Sequence, residues 1–300
     1  MPFSLNDDSR SHRLQGLALA GAGAIAFSGK AIIVKLSYRY GVDAVQVITY
    51  RMLFALPLFV ALSWWAGRGK PALGRHDWLV LTGLGVTGYY LASYLDFAGL
   101  QYISASLERL ILYLNPTFVL IMGVLFFGQS VTRRQWAALV LSYAGIAIVF
   151  GHDASISGNN TLLGAALVFG SAMSYATYLL FSGQAVKRLG ALRITGLATG
   201  IACVLCILHF FVVRPVSALV VPPEVIGLAI LNATLCTFLP VLFVMLAVER
   251  VGAGVTAQTG AIGPLSTIFL GVLLLDEPFT PWIAAGTALV LSGIWLLARK

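Results

Sequence analysis

Charge is what this sequence has least of. Its 300 residues include 19 Lys and Arg and 11 Asp and Glu, 10% charged, where soluble domains carry about 25%. The hydrophobic fraction is 59%, above the soluble average of roughly 45–50%, and the mean hydropathy is +0.91. A soluble Rossmann, TIM-barrel or sandwich domain is thereby excluded. Cysteine is nearly absent: Cys203, Cys206 and Cys236 are an odd number and exclude a disulfide framework. Cys203, Cys206 and His209 imitate a metal spacing, but steps of three drift around a helix and no fourth ligand is evident, so no metal is expected. A P-loop, a nucleophile elbow and a zincin motif are all missing, which argues against an enzyme and against a cofactor. Gly21-Ala22-Gly23 followed by Ala26 matches a dinucleotide fingerprint only in its letters, because no strand precedes it. Although the net charge is +8, the basic residues stand singly or in pairs in short gaps, which gives no surface for a nucleic acid.

What is present is long apolar runs. A helix needs about 20 apolar residues to cross a hydrocarbon core, and ten segments meet or approach that length, at 14–35, 44–66, 78–98, 103–127, 134–151, 161–184, 194–213, 223–248, 253–275 and 280–298. The first is longer than a signal h-region and is read as retained. Thirteen Lys and Arg fall in the terminal segments and alternate connections of one face, against Lys35, Arg39 and Arg214 on the other. The positive-inside rule then predicts a multi-pass inner-membrane protein with both termini cytoplasmic. Trp64, Trp65, Trp78 and Trp136 flank the basic connections, as an interfacial belt requires.

The chain also repeats itself. At an offset of 148 residues, Pro116 falls on Pro264, Gly123-Val124-Leu125 on Gly271-Val272-Leu273, and Gly145-Ile146 on Gly293-Ile294. The window 105–146 contains ten identities at this offset. Two five-helix units are expected, 1–152 and 160–300, and an odd helix number inverts the second against the first. The predicted fold is an all-α membrane protein, ten transmembrane helices in two inverted five-helix repeats around a central cavity. Pro116 and Pro264 interrupt equivalent spans, a pattern that points to a midplane site, although a proline can also merely kink a packing helix.

The run Ser104-Ala105-Ser106-Leu107-Glu108-Arg109, then Leu114-Asn115-Pro116, Leu125-Phe126-Phe127-Gly128-Gln129 and Trp136, resembles the EamA-type repeat of the ten-helix drug/metabolite transporter superfamily. Its second copy runs from Gly263-Pro264 to Leu274-Leu275-Asp276-Glu277, then Trp282 and Gly286, so that the resemblance covers nearly the whole chain. Gln129 departs from the pattern by standing where Glu277 stands in the second copy. The sequence is most similar to bacterial exporters of amino acids, aromatic ones in particular. The resemblance implies a cavity lined by spans 1–4 and 6–9, with spans 5 and 10 peripheral.

Five charges lie inside spans: Lys30, Arg51, Asp96, Glu108 and Arg109. Each is costly in hydrocarbon unless it is paired or faces a water-filled cavity. Lys30 continues the helical stripe Gly16, Ala20, Gly23, Phe27; it lines a cavity or snorkels outward from near the end of its span. Glu108 and Arg109 point about 100° apart and cannot pair with each other, so each needs another helix. Arg51 and Asp96 are the expected partners, either in a structural network that can act as a gate or in direct contact with substrate or a coupling proton. Tyr90, Tyr94, Tyr113, Tyr175 and Tyr178 give polar aromatic surface, and Asn115, Asn232 and Gln258 add midspan hydrogen-bonding groups. These residues and Lys30, Glu108 are the substrate-cavity candidates. The expected function is alternating-access export of amino acids with aromatic or apolar side chains. The alternatives are another small metabolite or drug, such as a nucleobase, a sugar derivative or an organic cation, or a non-transporting membrane scaffold. The expected partners are the small-molecule substrate and the lipid bilayer, with the chain a monomer or weak dimer.

Overall fold

The computed structural model describes residues 5–127, 132–157, 160–259 and 262–298, and these form helices joined by short connections, with no strand among them. Helix α1 is Leu5–Tyr38 and α2 is Ala44–Gly67. The third, α3, runs as Arg75–Gly85, a π-turn Val86–Leu91 and Ala92–Leu100, and α4 as Ala105–Leu112 and Asn115–Phe127. Next come α5 (Arg133–Ser157), α6 (Asn160–Leu189) and α7 (Ala191–Val213). Helix α8 comprises Pro223–Ala233, a π-turn Thr234–Phe238 and Leu239–Thr259; α9 is Ile262–Leu275 and α10 is Pro281–Ala298.

Within Leu239–Thr259 the order of contacts along α1 reverses. Beside α1, Pro240 and Val244 lie at Gly23, Val251 at Gly16 and Thr259 at Gly21, so the chain descends along α1 and returns. The second arm continues into α9, and ten membrane-crossing passes result. Large apolar side chains cover the outside, among them Leu79, Leu125 and Val212. Trp64, Trp65, Trp78 and Trp136 are exposed as well, and the Arg68 guanidinium sits 4.0 Å over the Trp64 ring. In water such a surface would aggregate; in lipid it is the solvated face.

The two halves exchange equivalent contacts, which is the structural content of the 148-residue offset. Gly16 of α1 packs against Arg250 and Val251, and Gly164 of α6 packs against Tyr102 and Ile103, each partner 148 residues from its counterpart. At the periphery α5 crosses α10 through glycine. A Cβ on Gly145 would lie 2.6 Å from the Gly286 carbonyl oxygen, and one on Gly286 would lie 2.6 Å from the Gly145 carbonyl oxygen. Small residues let these backbones touch where lipid offers no hydrophobic drive between helices. Among the described residues, none of α5 or α10 lines the central cavity.

Both repeats also carry a π-turn, and the two begin 148 residues apart, at Val86 and Thr234. A π-turn adds one residue to a helix and disturbs the i→i−4 ladder. Side chains engage the carbonyls around it: Ser174 Oγ donates to Thr87 O and Ser171 Oγ to Ala92 O, both at 2.7 Å, and Thr237 Oγ1 donates to Asn232 O at 2.8 Å. Helix α4 breaks at Tyr113–Leu114 and resumes at Asn115, so Pro116 falls in the first turn, where its missing N–H is not needed. Pro264 occupies the first turn of α9 in the same way.

Candidate functional site

Four helices bring charge to one place. Lys30 of α1 is buried, and its Nζ lies 2.5 Å from Asp96 Oδ2 of α3 and 3.5 Å from Glu108 Oε1 of α4. The structure thus turns Lys30 inward, and both carboxylates share one ammonium. Arg51 of α2 is 2% exposed and donates from Nε to Thr237 Oγ1 in the π-turn of α8 at 2.8 Å, with its guanidinium 5.1 Å over the Phe97 ring. Arg109 of α4 donates from Nε to Thr267 Oγ1 of α9 at 2.8 Å and from Nη2 to Phe27 O at 3.1 Å. Each of these two guanidiniums is therefore held by a threonine of the second repeat. Neither has a carboxylate within 4.0 Å among the described residues. The expected partners for Glu108 and Arg109 were Arg51 and Asp96; Glu108 instead meets Lys30, and Arg109 meets a hydroxyl and a carbonyl. The difference arises because α1 packs between the two halves, Ser28 Oγ reaching Gly263 O at 2.8 Å, and so delivers Lys30 to the carboxylates first.

These groups border a cavity of about 360 Å³. Its charged lining is Lys30, Arg51, Asp96 and Arg109, and its aromatic lining is Phe27, Tyr89, Tyr113 and Tyr175. Asn115, at the resumption of α4, and Ser93 and Ser171 add polar atoms. Both irregularities of the first repeat, the π-turn at Gly88–Tyr89 and the break at Tyr113–Asn115, open onto this space. Spans 1 to 4 and span 6 supply the wall. The family resemblance implied that spans 7 to 9 would line it too; among the described residues, α8 and α9 pack onto α1 through Gly23, Gly29 and Ser28 and meet the arginines of the site through Thr237 and Thr267.

Of the residues expected at a substrate cavity, Lys30, Tyr113, Asn115 and Tyr175 line it, together with Arg51, Asp96 and Arg109, which were expected as a network. Glu108 is fully buried behind Lys30. Tyr90 and Tyr94 turn to α7: the Tyr90 hydroxyl is 2.9 Å from His209 Nδ1, and the Tyr94 ring centroid is 4.9 Å from that of His209. Tyr178 packs edge-on to Tyr89 and against Gly88, where a Cβ would meet its ring at 2.5 Å. Asn232 is buried within α8 beside its π-turn. Gln129 and the side chains of Gln258, Pro116 and Pro264 lie outside what the structure describes. Three cavity residues outside the expected set, Phe27, Tyr89 and Ser171, stand on stripes or clusters visible in the sequence; Ser93 and Leu112 had no signal beyond their place in an apolar run.

Comparison with known proteins agrees with this architecture. The EamA-like transporter family model matches twice, at residues 14–151 and 162–299. The chain is 29% identical over 269 residues to the uncharacterized transporter YcbK of Bacillus subtilis, covering 85% of this chain and 83% of the relative. It is 22% identical over 295 residues to an uncharacterized transporter of Archaeoglobus fulgidus, covering 98% and 99%. A solved crystal structure superposes with a TM-score of 0.64 at 16% identity over 94% of this chain and 96% of that one, a likeness of fold. With two family matches spanning nearly all of its ten helices, the chain belongs to the EamA-like transporter family and is a multi-pass membrane transporter, not an enzyme.

Proposed function

We propose that this transporter exports amino acids, those with aromatic or apolar side chains foremost, across the inner membrane by alternating access. The observation that carries the reading is the composition of the cavity wall: guanidiniums without carboxylate partners on one part and the rings of Phe27, Tyr89, Tyr113 and Tyr175 on another. A solute that fills both must combine an anionic group with an apolar body. About 360 Å³ suits a single small metabolite rather than a lipid or a peptide. The termini lie in the cytoplasm, as the bias of thirteen basic residues to three supports. The two repeats, 1–152 and 160–300, rock against each other about the cavity, and the Arg51–Thr237 and Arg109–Thr267 bonds are the polar links that must re-form as they do.

The test is flux. Proteoliposomes holding the purified full chain are expected to accumulate radiolabelled L-phenylalanine above empty vesicles, and loss of that excess with every amino acid tried would refute the substrate assignment. An organic monocarboxylate is the second reading, favoured by the guanidiniums alone, and moves under the same assay if the ammonium is not required.

A further inference from the structure

Several buried side-chain atoms have no hydrogen-bond partner among the described residues, and three belong to residues that line the cavity: Arg51 Nη1, Asp96 Oδ1 and Asn115 Oδ1. One is a cationic donor and two are acceptors, one of them anionic. A buried polar atom left unpaired forfeits its hydration without compensation, and the loss is larger when it belongs to a charged group. Lys30 is committed to Asp96 and Glu108, and Arg109 is committed to Thr267 and Phe27 O. Arg51 is thus the cation of this wall whose guanidinium keeps a buried N–H with nothing to donate to.

We propose that these three atoms are the two head-group subsites of an α-amino acid zwitterion: Arg51 Nη1 donates to the substrate carboxylate, and Asp96 Oδ1 with Asn115 Oδ1 accepts from its ammonium. The assignment rests on the cavity being the transport site. Its chemistry is specific. The Arg51 Nε is fixed by Thr237 and its planar face by the Phe97 ring, so the free edge is held in one orientation before the substrate arrives. Asp96 keeps Oδ2 on Lys30 while offering Oδ1, so the ammonium binds without displacing the lysine. Asn115 adds a neutral acceptor at the point where α4 resumes, which couples recognition to the broken helix. A carboxylic acid without an ammonium leaves both acceptors unpaired, and an amine without a carboxylate leaves the Arg51 donor unpaired. The site therefore rejects each.

Competition in proteoliposomes tests this. Uptake of radiolabelled L-phenylalanine is measured against excess 3-phenylpropionate, which lacks the ammonium, and phenethylamine, which lacks the carboxylate. L-tyrosine or L-leucine is expected to compete and both single-headed analogues to fail. Arg51→Gln is expected to raise the KM for L-phenylalanine at least about tenfold, the loss of one charge-assisted hydrogen bond, and to abolish discrimination against phenethylamine. Arg51→Lys keeps the charge without the planar fork and is expected to fall between; Asn115→Ser tests the other subsite without removing a charge. If L-phenylalanine is transported but either analogue competes as well as an amino acid, or Arg51→Gln keeps the wild-type KM and selectivity, the subsite assignment is overturned and the transport reading stands. If the wild type moves no amino acid, both fall.

Discussion

Glu277, in the connection between α9 and α10, reaches across to the other repeat. Its Oε1 accepts from Ala105 N at 2.7 Å, and its Oε2 accepts from Ser106 N at 3.2 Å and Ser106 Oγ at 2.8 Å. These are donors of the first turn of α4, where a carboxylate is favoured by the helix dipole as well as by the bonds themselves. The same helix carries Glu108, Arg109 and Tyr113 to the site, so under the proposed alternating access an opening of the cavity toward the Glu277 face is expected to release this clasp. Three bonds to a partly exposed carboxylate, discounted for the water that replaces them, favour the closed state by about 2 kcal/mol. At 1.36 kcal/mol per tenfold, Glu277→Ala then raises the population open on that face by roughly 30-fold, and Glu277→Gln, which keeps a neutral acceptor, by about fivefold. The measurement is the rate at which a membrane-impermeant maleimide, added on the Glu277 side, labels a cysteine placed at Ser93 in a background where Cys203, Cys206 and Cys236 are serine. Labelling of the Ala variant at the wild-type rate, in protein that still binds ligand, would show that the clasp does not hold the gate.

The remaining predictions concern packing and charge. Lys30→Met leaves Asp96 and Glu108 without their shared ammonium and is expected to destabilise the detergent-solubilised protein by about 3–5 kcal/mol; adding Glu108→Gln should restore part of that loss in a thermal melt, and a double variant no better than the single would contradict the shared-ion arrangement. Gly145→Ala places a Cβ against the Gly286 carbonyl and forces α5 from α10, at about 1–3 kcal/mol; a drop in melting temperature with the substrate KM unchanged is expected, since neither helix lines the cavity. Tyr90→Phe removes the hydroxyl beside His209 on the far side of α3, and its KM for L-phenylalanine is expected to stay within about twofold of wild type, whereas a tenfold rise would place that pair in the substrate path.

The spans and the repeat were legible because each rests on a property that survives averaging. Hydropathy over 20 residues needs no knowledge of neighbours, and one proline and two glycine patterns sharing an offset of 148 residues fixed the register of the halves. The five intramembrane charges stood out for the same reason, each set in an apolar run. Their partners did not, because pairing depends on which helix packs between which. The adjacency of Glu108 and Arg109 forbade their pairing, but nothing local announced that α1 would carry Lys30 to both carboxylates. The tyrosines of α3 show the other limit. A 3.6-residue period relates Tyr90 and Tyr94 to one face and invites placing them on the cavity. They do share a face, but it is the one turned to His209, while Tyr89, Ser93 and Asp96, one position around the helix, line the cavity; periodicity relates residues to one another and does not say which neighbour a face meets. His209, which shares only a metal-like spacing with the two cysteines of its helix, is thus a structural partner of α3. Recognition itself is a stage further removed from sequence. That Arg51, Asp96 and Asn115 are polar is plain from their letters, but what marks them for the proposed head-group role is the unpartnered atom each keeps, in Arg51 and Asp96 after Thr237 and Lys30 have taken the other, and that remainder exists only once the helices are packed.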